Sequence, residues 1–158
     1  MNTTLVNQHR SSLGTDANIM VVIAFVATIV LGWIPWIGWI AWAVPLVIFF
    51  LEKDSLFVKR QMVQLLCLAA VRAAVVIVVQ ILLWILVPAT IAGSIFSLVS
   101  GGVVIAALLT LVSAIIGLAI TVVEVIVVVN AYGWKQLELP VLWPLVEKFT
   151  SKLNGLNI

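Results

Sequence analysis

Ionised side chains are scarce in this chain: 9% of its residues are Asp, Glu, Lys or Arg, while 65% are hydrophobic. An ordinary soluble domain is about a quarter charged and about half apolar. A water-soluble fold has no way to cover this much apolar surface, and a mean hydropathy of +1.32 makes lipid the solvent over most of the chain. Cysteine and histidine are nearly missing as well, with one each, Cys67 and His9. A lone cysteine excludes an internal disulfide, and inside an apolar run it reads as a small hydrophobe. His9 has no second metal-type ligand near it in sequence, so no metal is expected. There is no Ser/His/Asp set and no glycine-rich loop ending in Lys-Ser/Thr, so neither an enzyme nor a cofactor is expected. The net charge of +2 with no basic stripe leaves nucleic acid out as a partner. The polar start of the chain lacks the short apolar core of a cleavable signal. No period of 20–50 residues marks a repeat architecture.

What is present is hydrophobic length. The run from Ile19 to Leu51 holds no charge and as one helix would be ~50 Å long, too long for a ~30 Å hydrocarbon core. Gly32, Pro35, Gly38 and Pro45 punctuate it. The expected form is a helical hairpin, roughly 17–32 and 37–51, turning at Trp33–Gly38, either spanning or inserted as a re-entrant pair. After the polar break Glu52-Lys53-Asp54-Ser55, a third helix is expected from about Phe57 to Val87, ending before Pro88. Ala89–Gly102 reads as an uncharged loop. A fourth helix is expected over Val103–Tyr132. In the tail, Pro144 opens a short helix whose Leu145, Val146, Phe149 and Leu153 share a face, lying in the interface. The expected fold is an all-α integral membrane protein of four transmembrane or hairpin-inserted helices with an interfacial C-terminal segment. Its parts are a polar segment, 1–16, a four-helix membrane domain, 17–132, and a cytoplasmic interfacial tail, 133–158.

Charge sets the expected orientation. Arg10, Lys53, Lys59, Arg60, Lys135, Lys148 and Lys152 fall on one side of a four-helix arrangement, and the loops near 33–38 and 88–102 have no Lys or Arg. By the positive-inside rule both termini and the Glu52–Arg60 loop are expected on the cytoplasmic side.

Two charges stand inside apolar helices, Arg72 and Glu124. A charge at the bilayer centre costs at least ~2.5–3.5 kcal/mol and so seeks a partner. Arg72 lies ~18 Å along its helix from Arg60 and Glu124 ~15 Å from Trp134, which puts the two at similar depth as an expected pair. On a helical wheel Ala106, Thr110, Ser113, Gly117 and Thr121 share the face of Glu124, and Ser113, Gly117 and Thr121 form a helix-packing series of small residues. Gln61, Ala69, Ala73 and Gln80 lie on the side of Arg72. The functional reading is an ion or proton relay with Gln64 and Gln80 nearby. The structural reading is a buried pair that fixes helix register. Trp33, Trp36, Trp39 and Trp42 read as an interfacial belt rather than an aromatic cage. Glu52-Lys53-Asp54 reads as a solvated loop rather than an oxygen cage.

Glu52-Lys53-Asp54-Ser55-Leu56-Phe57-Val58-Lys59-Arg60-Gln61-Met62-Val63-Gln64 resembles an "EKDSPFVRFHAxQS" signature, with Asp54, Phe57, Val58 and Gln64 at matching positions. Ala131-Tyr132 through Leu139-Pro140 to Glu147-Lys148 resembles the "AY…LP…EK" pattern of the same family. These patterns are those of small bacterial membrane proteins related to the Tic-twenty-like subunit of the chloroplast inner-envelope translocon. The signature's histidine is Gln61 here and its proline is Leu56, so no titratable role carries over at that position. The resemblance implies four membrane helices and, in the plastid relative, a part in protein import. The expected partners are the lipid bilayer and other membrane proteins or a second copy. The leading expectation is a non-enzymatic assembly module. A small transporter or channel subunit using the Arg/Glu pair, or a membrane immunity or resistance protein, are its rivals.

Overall fold

The computed structural model describes residues 2–32, 34, 40–91, 103–140 and 142–154. It is mostly helical: α1 (Ala17–Gly32), α2 (Ala43–Leu51), α3 (Leu56–Ile91), α4 (Val103–Tyr132) and α5 (Trp143–Asn154), with two short strands, β1 (Asn2–Leu5) and β2 (Lys135–Glu138). Two stretches are long and apolar enough to cross a membrane, Leu56–Ile85 and Val104–Tyr132, of 30 and 29 residues. At 1.5 Å per residue they reach ~45 Å, more than the ~30 Å hydrocarbon core requires. The 16 residues of α1 and the 9 of α2 are shorter, ~24 Å and ~14 Å.

The chain divides into two compact units, residues 1–69 with 123–158, and residues 70–122. In the first unit the core is built from one face of each helix. Ala17, Met20, Val21 and Ala24 are buried on α1, the i, i+3, i+4, i+7 spacing of a single stripe. Pro45 and Phe49 are buried on α2. Pro45 sits in the first helical turn, where its missing N–H removes no intrahelical bond. Phe57, Val58, Met62, Val63 and Leu65 join this core from α3, Val128 and Ala131 from α4, and Val146 from α5. Burying each of the Val, Leu, Met and Phe side chains contributes about 1.5–3 kcal/mol.

The two strands were not expected, and they correct a strictly all-α reading. β1 pairs antiparallel with β2, Asn2 opposite Glu138 and Leu5 opposite Lys135. The chain reaches β2 from α4 through Trp134, which has a positive φ of 57°. A non-glycine residue in that region carries local strain. Trp134 is held there by its ring, 6.1 Å from that of Phe57 in a stacked arrangement and 5.6 Å from His9. Its carbonyl accepts the Val6 N–H at 2.9 Å.

Other expectations shift. The start of α2 is Ala43 rather than 37, and the Trp33–Gly38 turn, apart from Ile34, lies outside the described residues with Trp33, Trp36 and Trp39. Trp42 is described, and it is exposed at the start of α2. The third helix continues through Pro88 to Ile91; one proline deletes one backbone bond, which a long apolar helix tolerates. Most of the loop expected at Ala89–Gly102 lies outside the described residues. The fourth helix keeps its expected bounds. α5 begins one residue before Pro144, and the face it buries is Val146 and Thr150, with Leu145 and Phe149 exposed. The tail helix therefore has two apolar faces.

In the second unit, the α3 positions 72, 75, 79 and 83 and the α4 positions 106, 109, 113, 117 and 121 are half-buried, while Val76, Ile77, Val78, Leu108, Leu111 and Ile115 are exposed. Ala73 and Gln80 are also exposed, so the side of α3 that carries Arg72 is an aliphatic stripe rather than the Ala/Gln face expected.

Candidate functional site

Glu52 organises the polar end of the first unit. Its residue is 1% exposed, which corrects the solvated-loop reading of Glu52-Lys53-Asp54 for this position. Lys53 and Asp54 are exposed. One carboxylate oxygen accepts the Ser11 hydroxyl. The other accepts the N–H groups of Ser12 at 3.0 Å, Asp54 at 3.2 Å and Ser55 at 3.0 Å. The Ser12 hydroxyl returns a bond by accepting the Lys53 N–H at 2.9 Å. Burial pushes the Glu52 carboxyl toward its neutral form, but the bonds from Ser11, Ser12 and Ser55 outweigh it and hold the pKa at about 2, below the ordinary 4.5. The sharp turn that presents Ser11 and Ser12 closes at Gly14, whose φ of 86° suits a residue without Cβ.

His9 stands against this clasp. Its Nε2 lies 2.7 Å from the Ser55 hydroxyl, and its ring meets Phe57 edge-on at 6.3 Å. Ser55 Oγ also accepts the Val58 N–H at 3.2 Å, which makes it the N-cap of α3. His9 is therefore not isolated, as its sequence position suggested. A Ser–His contact is a nucleophile–base geometry in outline. Here the serine is 1% exposed and already caps a helix, which makes the pair a fastening. Among the described residues no group of His, Cys, Asp or Glu could hold a metal ion.

The residues shared with the family signature fall into two groups. Phe57, Val58 and Gln64 are buried, and Gln64 Nε2 donates to the Leu137 carbonyl at 3.2 Å, binding α3 to β2. Asp54 and Pro140 are exposed, Pro140 in the turn that leads to α5. Gln61, at the signature's histidine position, is fully buried, and its side-chain amide meets no hydrogen-bonding group among the described residues. Arg60 lies over the Trp143 ring at 5.7 Å and Lys59 over Phe49 at 6.0 Å, so the basic start of α3 is braced by aromatic rings.

Arg72 belongs to the second unit, where it donates to the Thr121 hydroxyl at 2.7 Å. Thr121 donates in turn to the Gly117 carbonyl at 3.0 Å. Glu124 is buried in the first unit, 9% exposed. Ser113 and Gly117 are half-buried. A Cβ added at Gly117 would meet nothing within 4 Å, so among the described residues the close backbone approach that a small residue permits is not used there.

Sequence reasoning singled out Glu52 and Ser55 in the signature and His9 as a lone histidine, but missed their contacts and the parts of Ser11 and Ser12. The one local signal was Ser55 three residues before Val58 at a helix start, the spacing of an N-cap. No family model, no curated protein and no solved structure matches this chain, so the likeness to the translocon-related proteins rests on its motif residues alone.

Proposed function

We propose that the chain is a non-enzymatic integral membrane protein that works by assembling, with itself or with other membrane proteins, through the outer parts of α3 and α4. The observation that carries this is a contrast in packing. Only 11% of the apolar window of each long helix is buried, while the polar end is tied down by the Glu52 clasp. Bare apolar helices attached to a rigid polar cap have lipid and partner helices as their natural surroundings. α1 and α2 act as an inserted pair, and both termini face the cytoplasm on the charge argument. The likeness to translocon-subunit relatives extends the proposal to an assembly concerned with protein translocation.

Gly117 supplies the test. If the Ser113–Gly117–Thr121 face receives a partner helix, Gly117→Leu blocks it by steric bulk while leaving the monomer folded, because a Cβ at that position meets nothing within 4 Å among the described residues. Crosslinking in native membranes followed by size analysis in mild detergent should show an assembly for the parent and its loss for Gly117→Leu. A monomer in both, with no crosslinked product, overturns the reading.

A second reading is favoured by the Arg72–Thr121 bond. That bond gives the Arg72 charge a polar partner inside an apolar helix, as a small transporter or channel subunit would require. Proton- or ion-coupled flux through purified protein in vesicles, abolished in Glu124→Gln, decides for this reading.

A further inference from the structure

The tail helix α5 has a surface that its own core does not use. Val146 and Thr150 are buried, with Trp143 half-buried beside them, yet Leu145 and Phe149 stay 46% and 51% exposed. At about 100° per residue, Leu145 and Phe149 lie about 40° apart. Lys152 lies about 20° from Leu145 on the side away from Phe149, and Lys148 about 60°. Both lysines are exposed. Glu147, the one acidic residue of α5, falls about 160° from Phe149. The helix thus carries an apolar strip, a ridge of two lysines along one margin, and its acidic residue on the far side.

The level of this strip follows from the start of α3. Trp143, the first residue of α5, packs its ring beneath the Arg60 guanidinium at 5.7 Å. Arg60 stands in the second turn of a stretch apolar and long enough to cross a membrane, beginning at Leu56. The start of α5 is therefore level with the first turns of that stretch.

We propose that α5 is a lipid-binding foot: Leu145 and Phe149 enter the acyl boundary, and Lys148 and Lys152 hold the phosphates of anionic headgroups. The proposal rests on the membrane reading above. Charge complementarity selects the occupant. Lysines that flank an apolar strip keep their ammonium groups in the headgroup layer while their stems cover apolar surface, and each basic residue near an anionic surface strengthens its attachment about fivefold.

Spin labelling tests it on the whole protein. With Cys67→Ala as background, a nitroxide is placed at Phe149→Cys, at Ser151→Cys on the polar face, or at Ile77→Cys on the exposed side of α3. The nitroxide ring, apolar and of similar size, stands in for the Phe149 phenyl. Each protein is reconstituted into phosphatidylcholine vesicles with and without phosphatidylglycerol, and collisions with oxygen and with a water-soluble nickel chelate are measured. Position 149 should favour oxygen when phosphatidylglycerol is present and shift toward nickel without it, while position 151 favours nickel throughout. Lys148→Gln or Lys152→Gln should each lower the ratio of membrane-seated to water-exposed label about fivefold. If position 149 favours nickel in both vesicles while position 77 favours oxygen, the foot is wrong and the membrane reading stands. If position 77 also favours nickel, both fall. A label at 149 shielded from both reagents whatever the lipid means a protein covers the strip, which overturns the proposal, as does seating that ignores the lysine replacements.

Discussion

The Nε2 of His9 lies 2.7 Å from the hydroxyl of Ser55, 46 residues further along the chain. The other ring nitrogen, Nδ1, is 2.8 Å from the Asn7 carbonyl oxygen. That oxygen can only accept, so Nδ1 carries a proton, and in the neutral ring Nε2 accepts the Ser55 hydroxyl. Since Ser55 Oγ also receives the Val58 N–H, one hydroxyl joins the N-terminal segment to the first turn of α3.

Replacing either residue therefore loosens the same joint. Ser55→Ala loses the cap and the histidine bond and should lower stability by about 1–2 kcal/mol. His9→Ala should lower it by about 1 kcal/mol. The double variant should lose less than the two effects added, because the shared bond is removed only once. Thermal unfolding followed by a thiol-reactive dye suits the measurement, since Cys67 is the one cysteine and is half-buried. Strict additivity would show that the contact contributes nothing.

Glu52 gives the protein an acid limit. A carboxyl held at about 2 in the folded chain and 4.5 ordinarily binds protons more readily when unfolded. Its contribution is complete above about pH 4.5, and it is lost as pH falls toward 2. At ~1.4 kcal/mol per pH unit the gap corresponds to roughly 3 kcal/mol. Glu52→Gln should be less stable at neutral pH and should approach the parent as pH falls through this window. A constant difference from pH 5 to 2.5 would contradict the clasp.

Gln61 is a buried amide without a hydrogen-bonding partner among the described residues, and such a group lowers stability by about 1–3 kcal/mol. Gln61→Met keeps the length and removes the polar ends, so it should raise the unfolding temperature. A loss of stability would show that the amide has a partner in the membrane-bound protein.

The bond from Arg72 to Thr121 is tested by removing its acceptor. Thr121→Val removes the 2.7 Å bond to Arg72 and should lower stability by about 1.5–3 kcal/mol, the range for a hydrogen bond to a charged group. An unchanged unfolding temperature in Thr121→Val would show that the bond contributes nothing.

The bounds of α1 and α4 were legible in the sequence because Gly32, Gly101-Gly102 and Gly133 punctuate long apolar runs. The clasp was not. Glu52 is stabilised by donors about 40 positions earlier, Ser11 and Ser12, and a residue's distant ligands leave no local period. The same holds for Asn2–Leu5 and Lys135–Glu138, short segments whose strand character comes from each other. For α5, Leu145, Val146 and Phe149 were read as one face. Tertiary packing divides them, taking Val146 inward and leaving the other two out. Arg72 and Glu124 were legible as exceptional because they are charges in apolar helices. The Thr121 partner of Arg72 was named only as a member of the small-residue face.

The pairing of Asn2–Leu5 with Lys135–Glu138 also sets an order of events during synthesis. The ligands of Glu52 all lie within the first 55 residues, so the clasp can close while the ribosome is still adding α3. β1 has no partner until residue 138 has emerged. At about 5–20 residues per second that interval is on the order of ten seconds. Throughout it the leading strand waits with an unpaired backbone edge while both long helices are made. The sheet can close only after α4 has been made, and Val146 of α5, which follows it, fills the core later still.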